Sequence, residues 1–334
     1  MVIASRNQGE YIMASDVKPE LIGQYALDDH PEYRSAFSLW DERASVRSGG
    51  RRRGSDGHAV GLLFPPELAP VVTHPIIVDS GLAERLLGLT LVDYLNYTVE
   101  LEETCVVPVA SALGRGLHPL PLPLEMRLDA LRISTDESYH SLFTLQMAAE
   151  VEAHLGLGGK APLEWRFMRA IALEVEAAGQ TDAYLIRLVS AVVSETLISS
   201  KLRQLPRDAR LNRSVRQMAA DHAQDEARHH AYFKAILPIL WRHVTLRERV
   251  VVGCAVPRLI RAFLEPDLAR DAELLVELGI DPIVAAKVVE ESNPIGDLLG
   301  QTRSSAKETI RYFRDVGALD VAQIRDEFHA SLLI

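Results

Sequence analysis

The chain has 334 residues, 48% of them hydrophobic, with a formal net charge of −10 and two cysteines. That length can bury a large core in one or two domains, and the acidic balance argues against non-specific nucleic-acid binding and against docking on anionic membranes. Cys105 and Cys254 lack metal-site spacing and read as reduced thiols, no secretory signal opens the chain, and no apolar run of about 18 residues appears, so a cytoplasmic protein is expected.

Residues 1–35 mix polar residues with Pro19, Gly23 and Pro31 and predict a poorly ordered, flexible N-terminal arm. Residues 36–334 are expected to form a single all-α domain whose metal-binding core spans about 82–264. The stretch 48–57 is Gly- and Arg-rich and reads as a flexible basic loop; without interleaved aromatics it does not argue for nucleic acid. Apolar recurrence at three and four then predicts helices over 82–113, 124–154, 163–178, 181–204, 208–243 and 245–263. Gly and Pro punctuate the gaps between them, around 114–123, 156–162, 179 and 206. Pro108, Pro238 and Pro257 fall inside these spans and are expected to kink or shorten them. Shorter helices are expected over 274–278, 282–291, 304–315 and 322–333. No alternating run long enough for a sheet appears, so the fold class is all-α, a helical bundle with additional helices.

The first helix carries adjacent acids at its apolar boundary. Glu103 follows Val92, Leu95 and Val99 and precedes Val106 and Ala110 at helical spacing; Glu102 aligns instead with Leu91, Leu95, Thr98, Cys105 and Val109. Both faces are plausible, and periodicity favours Glu103. The second helix contains Asp136-Glu137-Ser138-Tyr139-His140, and a later one contains Asp225-Glu226-Ala227-Arg228-His229. In each, a Glu and a His three residues apart share one helix face and can reach one point. Between them Glu195 shares a face with Leu188, Ala191, Val192 and Ile198, where an unpaired carboxylate would be costly.

The order Glu, Glu-x-x-His, Glu, Glu-x-x-His is that of the carboxylate-bridged di-iron or di-manganese site of ferritin-like bundles. The expected metal residues are therefore Glu103, Glu137, His140, Glu195, Glu226 and His229, holding two iron ions with manganese as a substitute. His222, four before Glu226 on the same face, is the candidate for a third imidazole, whereas His230 is rotated away. Asp136 and Asp225 also share the inner faces of their motifs. A ligating His donates its other N–H to a carboxylate, so Asp136 is expected to pair with His229 and Asp225 with His140. Tyr94, Tyr97, Phe143, Leu202 and Phe263 are candidates for a substrate pocket.

These residues resemble the di-iron arylamine N-oxygenases of antibiotic biosynthesis, the family that includes the p-aminobenzoate and chloramphenicol-forming enzymes. Its pattern of a lone Glu, Asp-Glu-x-x-His, Ser/Ala-Glu-Thr and His-x-x-x-Glu-x-x-His reads here as Glu103, Asp136 to His140, Ser194-Glu195-Thr196 and His222 to His229. The resemblance implies a cluster of two irons that binds O2 as a peroxo species. It implies oxidation of an aromatic amine through hydroxylamine and nitroso to nitro, with an external reductant or electron donor and a homodimer as further expectations. A di-iron carbon hydroxylase or desaturase on the same bundle is the alternative, because fold and cluster do not fix the substrate.

Overall fold

The computed structural model describes residues 33–47, 61–156, 164–202 and 204–334, with the backbone alone at 199–202. Residues 1–32 of the expected arm and the basic loop at 48–57 lie outside the described residues. Tyr33 falls within the stretch expected as an arm, yet its hydroxyl donates to Asp129 at 2.9 Å.

Among the described residues the chain is helical, with one isolated bridge between Leu62 and Leu211. It is the all-α bundle that the periodicity predicts. The elements are α1 (Trp40–Arg43), α2 (Pro75–Ser80), α3 (Ala83–Leu101), α4 (Val107–Arg115), α5 (Leu124–Leu155), α6 (Arg166–Leu202), α7 (Arg213–His243) and α8 (Leu246–Leu264), then α9 (Leu268–Glu277), α10 (Pro282–Ser292), α11 (Ile295–Asp315) and α12 (Ala322–Ala330). Helices α3 and α4 pack on α5, and α6 packs on α7 and α8. The tail closes one side through α11 and α12, which rest on α6 and α8. No helix among the described residues is long and apolar enough to cross a membrane.

Local chemistry sets the helix ends. The Asn212 side chain accepts from Ser214 N at 2.8 Å to start α7. Thr245 and Glu248 form a reciprocal capping box at the start of α8. Gly116 ends α4 with φ 72°, a conformation that costs other residues but not glycine. Gly179 (φ 72°, ψ 173°) breaks α6 where two separate helices are expected.

Two expectations are met only in part or not at all. Pro238 and Pro257 do not shorten their helices: α7 and α8 run through them. The single helix expected over 82–113 is divided by a π-helical turn at Glu102–Val106. Pro108 lies directly after this π turn, inside helical backbone that continues from α3 into α4, with Val107 N–H bonded to Glu102 O just before it.

The bundle centre is polar as well as apolar. Helix α5 buries Asp129, Asp136, Glu137, His140, Ser141 and Thr144 along one stripe. Helix α7 buries His222, Asp225, Glu226 and His229, and α6 contributes Glu195. Buried charge of this density needs compensation, which directs attention to the point where the stripes meet.

Candidate metal centre

Seven side chains from four segments converge. Glu102, Glu137, His140, His222 and Glu226 form one group, and Glu137, Glu195, Glu226 and His229 form a second; within each group one atom per residue lies within 4.8 Å of the others. Glu137 and Glu226 belong to both groups, so the two positions are adjacent and share two carboxylates. Every member is at most 1% exposed.

The histidines aim one nitrogen inward. His140 Nδ1 lies 3.0 Å from Glu137 Oε2 and 3.7 Å from Glu226 Oε1. His222 Nε2 lies 3.1 Å from Glu102 Oε1 and 3.0 Å from Glu226 Oε1. His229 Nδ1 lies 2.8 Å from Glu137 Oε1 and 3.8 Å from Glu195 Oε2. The outward nitrogens meet the aspartates crosswise: His140 Nε2 to Asp225 Oδ2 at 3.0 Å, and His229 Nε2 to Asp136 Oδ2 at 3.2 Å. This pairing fixes the tautomer, with Nε2 protonated and Nδ1 presented to the cluster.

The first acid is corrected. Glu103 is exposed, and Glu102 enters the cluster, where Ser141 Oγ donates to its Oε2 at 3.1 Å. The π turn is the cause. One additional residue in a turn delays the downstream pattern by one position, so buried Val106 and Ala110 fall in line with Glu102, not Glu103. A template with 3.6 residues per turn carried through 102–106 therefore selects the wrong neighbour.

The expected pocket residues separate. Phe143 packs against His140 and His222, with ring centroids at 5.4 and 6.1 Å. Tyr94 lies close enough to Glu102 and Glu226 for their charges, after burial itself, to push its phenol upward. Tyr97 packs on Trp165 and Phe263 on Phe167, away from these imidazoles. The Leu202 side chain lies outside the described residues. His230 turns to the tail, 3.0 Å from the Tyr312 hydroxyl.

Sequence reasoning did not find Ser141, Trp40, Ser45 or Arg228. Arg228 touches both aspartates, closely at Asp225 and at 3.8 Å from Asp136. Its place three residues after Asp225 was the available signal, since residues three apart on a helix are neighbours. Trp40 and Ser45 come from a segment with no pattern to mark them.

The electrostatics fit a cation pair. Burial pushes the Glu102 carboxyl up to about 7 against the pull of His222, and burial with the neighbouring Glu226 and Glu137 holds Glu195 well above the usual range. Burial would lower His229, yet Glu137, Glu226 and Asp136 hold it well above an ordinary imidazole. Without a cation, the cluster thus neutralises itself with protons. Glu195 Oε2 and Glu226 Oε2 have no hydrogen-bond partner, and Glu102 Oε1, Glu137 Oε1 and His229 Nδ1 have only inward members of the cluster beside them, the first at 3.1 Å from His222 Nε2 and the other two at 2.8 Å from each other. Unpartnered carboxylate oxygens and self-paired acids and imidazoles crowded at one buried point are costly unless ions take them. Carboxylate and imidazole donors without thiolate suit iron or manganese.

The family model of p-aminobenzoate N-oxygenase AurF matches residues 56–317. The chain is also similar to a 4-aminobenzoate N-oxygenase from Streptomyces thioluteus, at 23% identity over 258 residues, covering 75% of this chain and 72% of the relative.

Proposed function

Because this chain belongs to the p-aminobenzoate N-oxygenase AurF family, we propose that it is a non-haem di-iron N-oxygenase that uses O2 to oxidise an aromatic amine through hydroxylamine and nitroso to nitro. One observation carries the reading: four buried carboxylates and three imidazoles converge with inward atoms that have no other partner. Glu102, His140 and His222 would hold one iron, Glu195 and His229 the other, and Glu137 and Glu226 reach both. Two irons bound there supply O2 activation and the change of oxidation state.

The protein's own part follows from the geometry. Asp136 and Asp225 keep the Nε2 protons of His229 and His140 and so hold their Nδ1 atoms toward the cluster. Ser141 occupies one oxygen of Glu102 and leaves Oε1 for a metal. His222 adds a neutral donor to one position only, which makes the two positions unlike. Burial keeps bulk water from the centre, and Phe143 and Tyr94 offer an apolar wall beside the Glu102–His222 position against which an aryl ring can lie. An external electron donor, a homodimer, a cytoplasmic setting, one domain from residue 36 onward and a role in antibiotic biosynthesis of the chloramphenicol type belong to the same reading; they rest on the sequence and its resemblance.

The test is a single turnover. The protein is loaded anaerobically with Fe(II), mixed with O2 and a panel of arylamines, and the products are analysed by mass spectrometry. Hydroxylamino, nitroso or nitro products are expected. Ring- or chain-hydroxylated products with the amine intact would replace this reading with the carbon-oxidation alternative.

A further inference from the structure

Both aspartates that orient cluster histidines are also gripped from outside, and by the same short segment. The Trp40 indole Nε1 donates to Asp136, at 2.9 Å from Oδ1 and 3.0 Å from Oδ2. Five residues on, the Ser45 backbone N–H donates to Asp225, at 3.3 and 3.2 Å. Phe37, 2% exposed, lies parallel to His229 with centroids 6.1 Å apart and planes at 11°. Gln224 Nε2 holds the segment from the other side by donating to Arg43 O at 2.9 Å.

Trp40 is the informative member. Its ring is only half-buried, so its N–H could be served by water. It is instead aimed inward at a carboxylate with no exposure at all. A carboxylate held by His229 alone could turn about its Cβ–Cγ bond. Contacts from the indole to both oxygens, together with Arg228, prevent that turn. The imidazole plane of His229 is fixed as a result, and with it the direction of Nδ1.

We propose that Trp40 is a positioning residue of the metal centre: acting through Asp136 it holds His229 Nδ1 toward the cluster, so that the segment from Phe37 to Ser45 completes a site built 96 and more residues away. This inference rests on the dinuclear reading above.

The test uses the full-length, metal-free protein and Co(II), whose visible d–d bands and hyperfine-shifted imidazole N–H proton signals report each histidine. Two variants remove the indole N–H: Trp40→Phe, and site-specific benzothienylalanine at position 40, which keeps the ring shape. Wild-type protein is expected to take two Co(II) and to show slowly exchanging N–H signals for both His140 and His229. Both variants are expected to bind the cobalt at the Glu195–His229 position at least about tenfold more weakly. The His229 N–H signal should broaden by exchange with water while that of His140 persists. Trp241→Phe, a core change outside the centre, should alter neither. Wild-type affinities and signals in the variants, with only a lower melting temperature, would reduce Trp40 to packing and overturn the inference. Should Trp40→Phe fail to fold, the benzothienyl variant decides. Absence of cobalt binding by the wild-type protein is a different result and would remove the dinuclear reading itself.

Discussion

Glu102→Gln and Glu103→Gln are neighbouring, isosteric changes for which the structure predicts opposite outcomes. Glu102 is 1% exposed and its carboxyl is pushed up to about 7, mainly by burial. An acid raised by folding is penalised in its charged form. The penalty is absent below its ordinary value of 4.5, grows as pH rises through the window to about 7, and is complete above it. That interval corresponds to about 3 kcal/mol. Loss of a charged partner for His222 and Ser141 returns about 1 kcal/mol. Metal-free Glu102→Gln should therefore be more stable than wild type by about 2 kcal/mol at pH 8, with the advantage gone at pH 5. With metal the order reverses, because a neutral amide is a poor ligand and wild type gains binding energy that the variant lacks. Exposed Glu103→Gln should stay within about 0.5 kcal/mol in every condition. Urea unfolding at pH 5 and 8, with and without Fe(II) under anaerobic conditions, measures all of this. Wild-type iron affinity in Glu102→Gln, or loss of iron in Glu103→Gln, would refute the assignment and the π-turn argument behind it.

Three further outcomes follow from the same structure. Asp225→Asn should weaken iron binding about 10–100-fold, because His140 loses the acceptor that sets its tautomer. Despite burial, His140, Ser45 and Arg228 hold Asp225 down to about 2, so this depressed acid contributes stability above its ordinary 3.8 that is lost as pH falls toward 2. In metal-free protein, Asp225→Asn should accordingly cost about 2 kcal/mol at pH 7, shrinking in acid, as read by unfolding at several pH values. Gly253→Ala should destabilise by about 1–3 kcal/mol in urea titration, since the new Cβ would meet Ile324 Cδ1 at 2.3 Å, and a smaller residue at 324 should recover part of the loss. Removing iron with a chelator should lower the melting temperature, and restoring Fe(II) should return it, because the protonated, partly orphaned cluster of the free protein is the less stable state.

Much of this was legible in the sequence because two periodicities agree. The Glu-x-x-His spacing matches a helical turn, and the helices that carry it have apolar faces in register, so Glu137, His140, Glu226 and His229 could be placed together before any coordinates. Glu195 was visible as an acid among Val192, Leu188 and Ile198, an arrangement that burial penalises without a partner. The crosswise aspartates followed from the need of an inward imidazole for an outward acceptor. What failed was whatever departs from a regular 3.6 repeat. The π turn moved the first acid by one residue, and nothing in Glu102-Glu103-Thr104-Cys105-Val106 announces it. Pro238 and Pro257 lie in long helices that packing on both sides holds together through the lost hydrogen bonds. Trp40 and Ser45 act through contacts 96 and 180 residues away in sequence, which no local pattern encodes.

The central claim is that this one buried cluster holds a pair of unlike irons. Mössbauer spectroscopy of the full chain loaded anaerobically with ⁵⁷Fe(II) tests it most directly. The account predicts two iron ions per chain in two quadrupole doublets of equal area, one for the two-imidazole position of His140 and His222 and one for the single-imidazole position of His229. In Glu195→Ala the second doublet should be lost first. One iron per chain, or iron at a level that Glu195→Ala and His222→Ala leave unchanged, would contradict it.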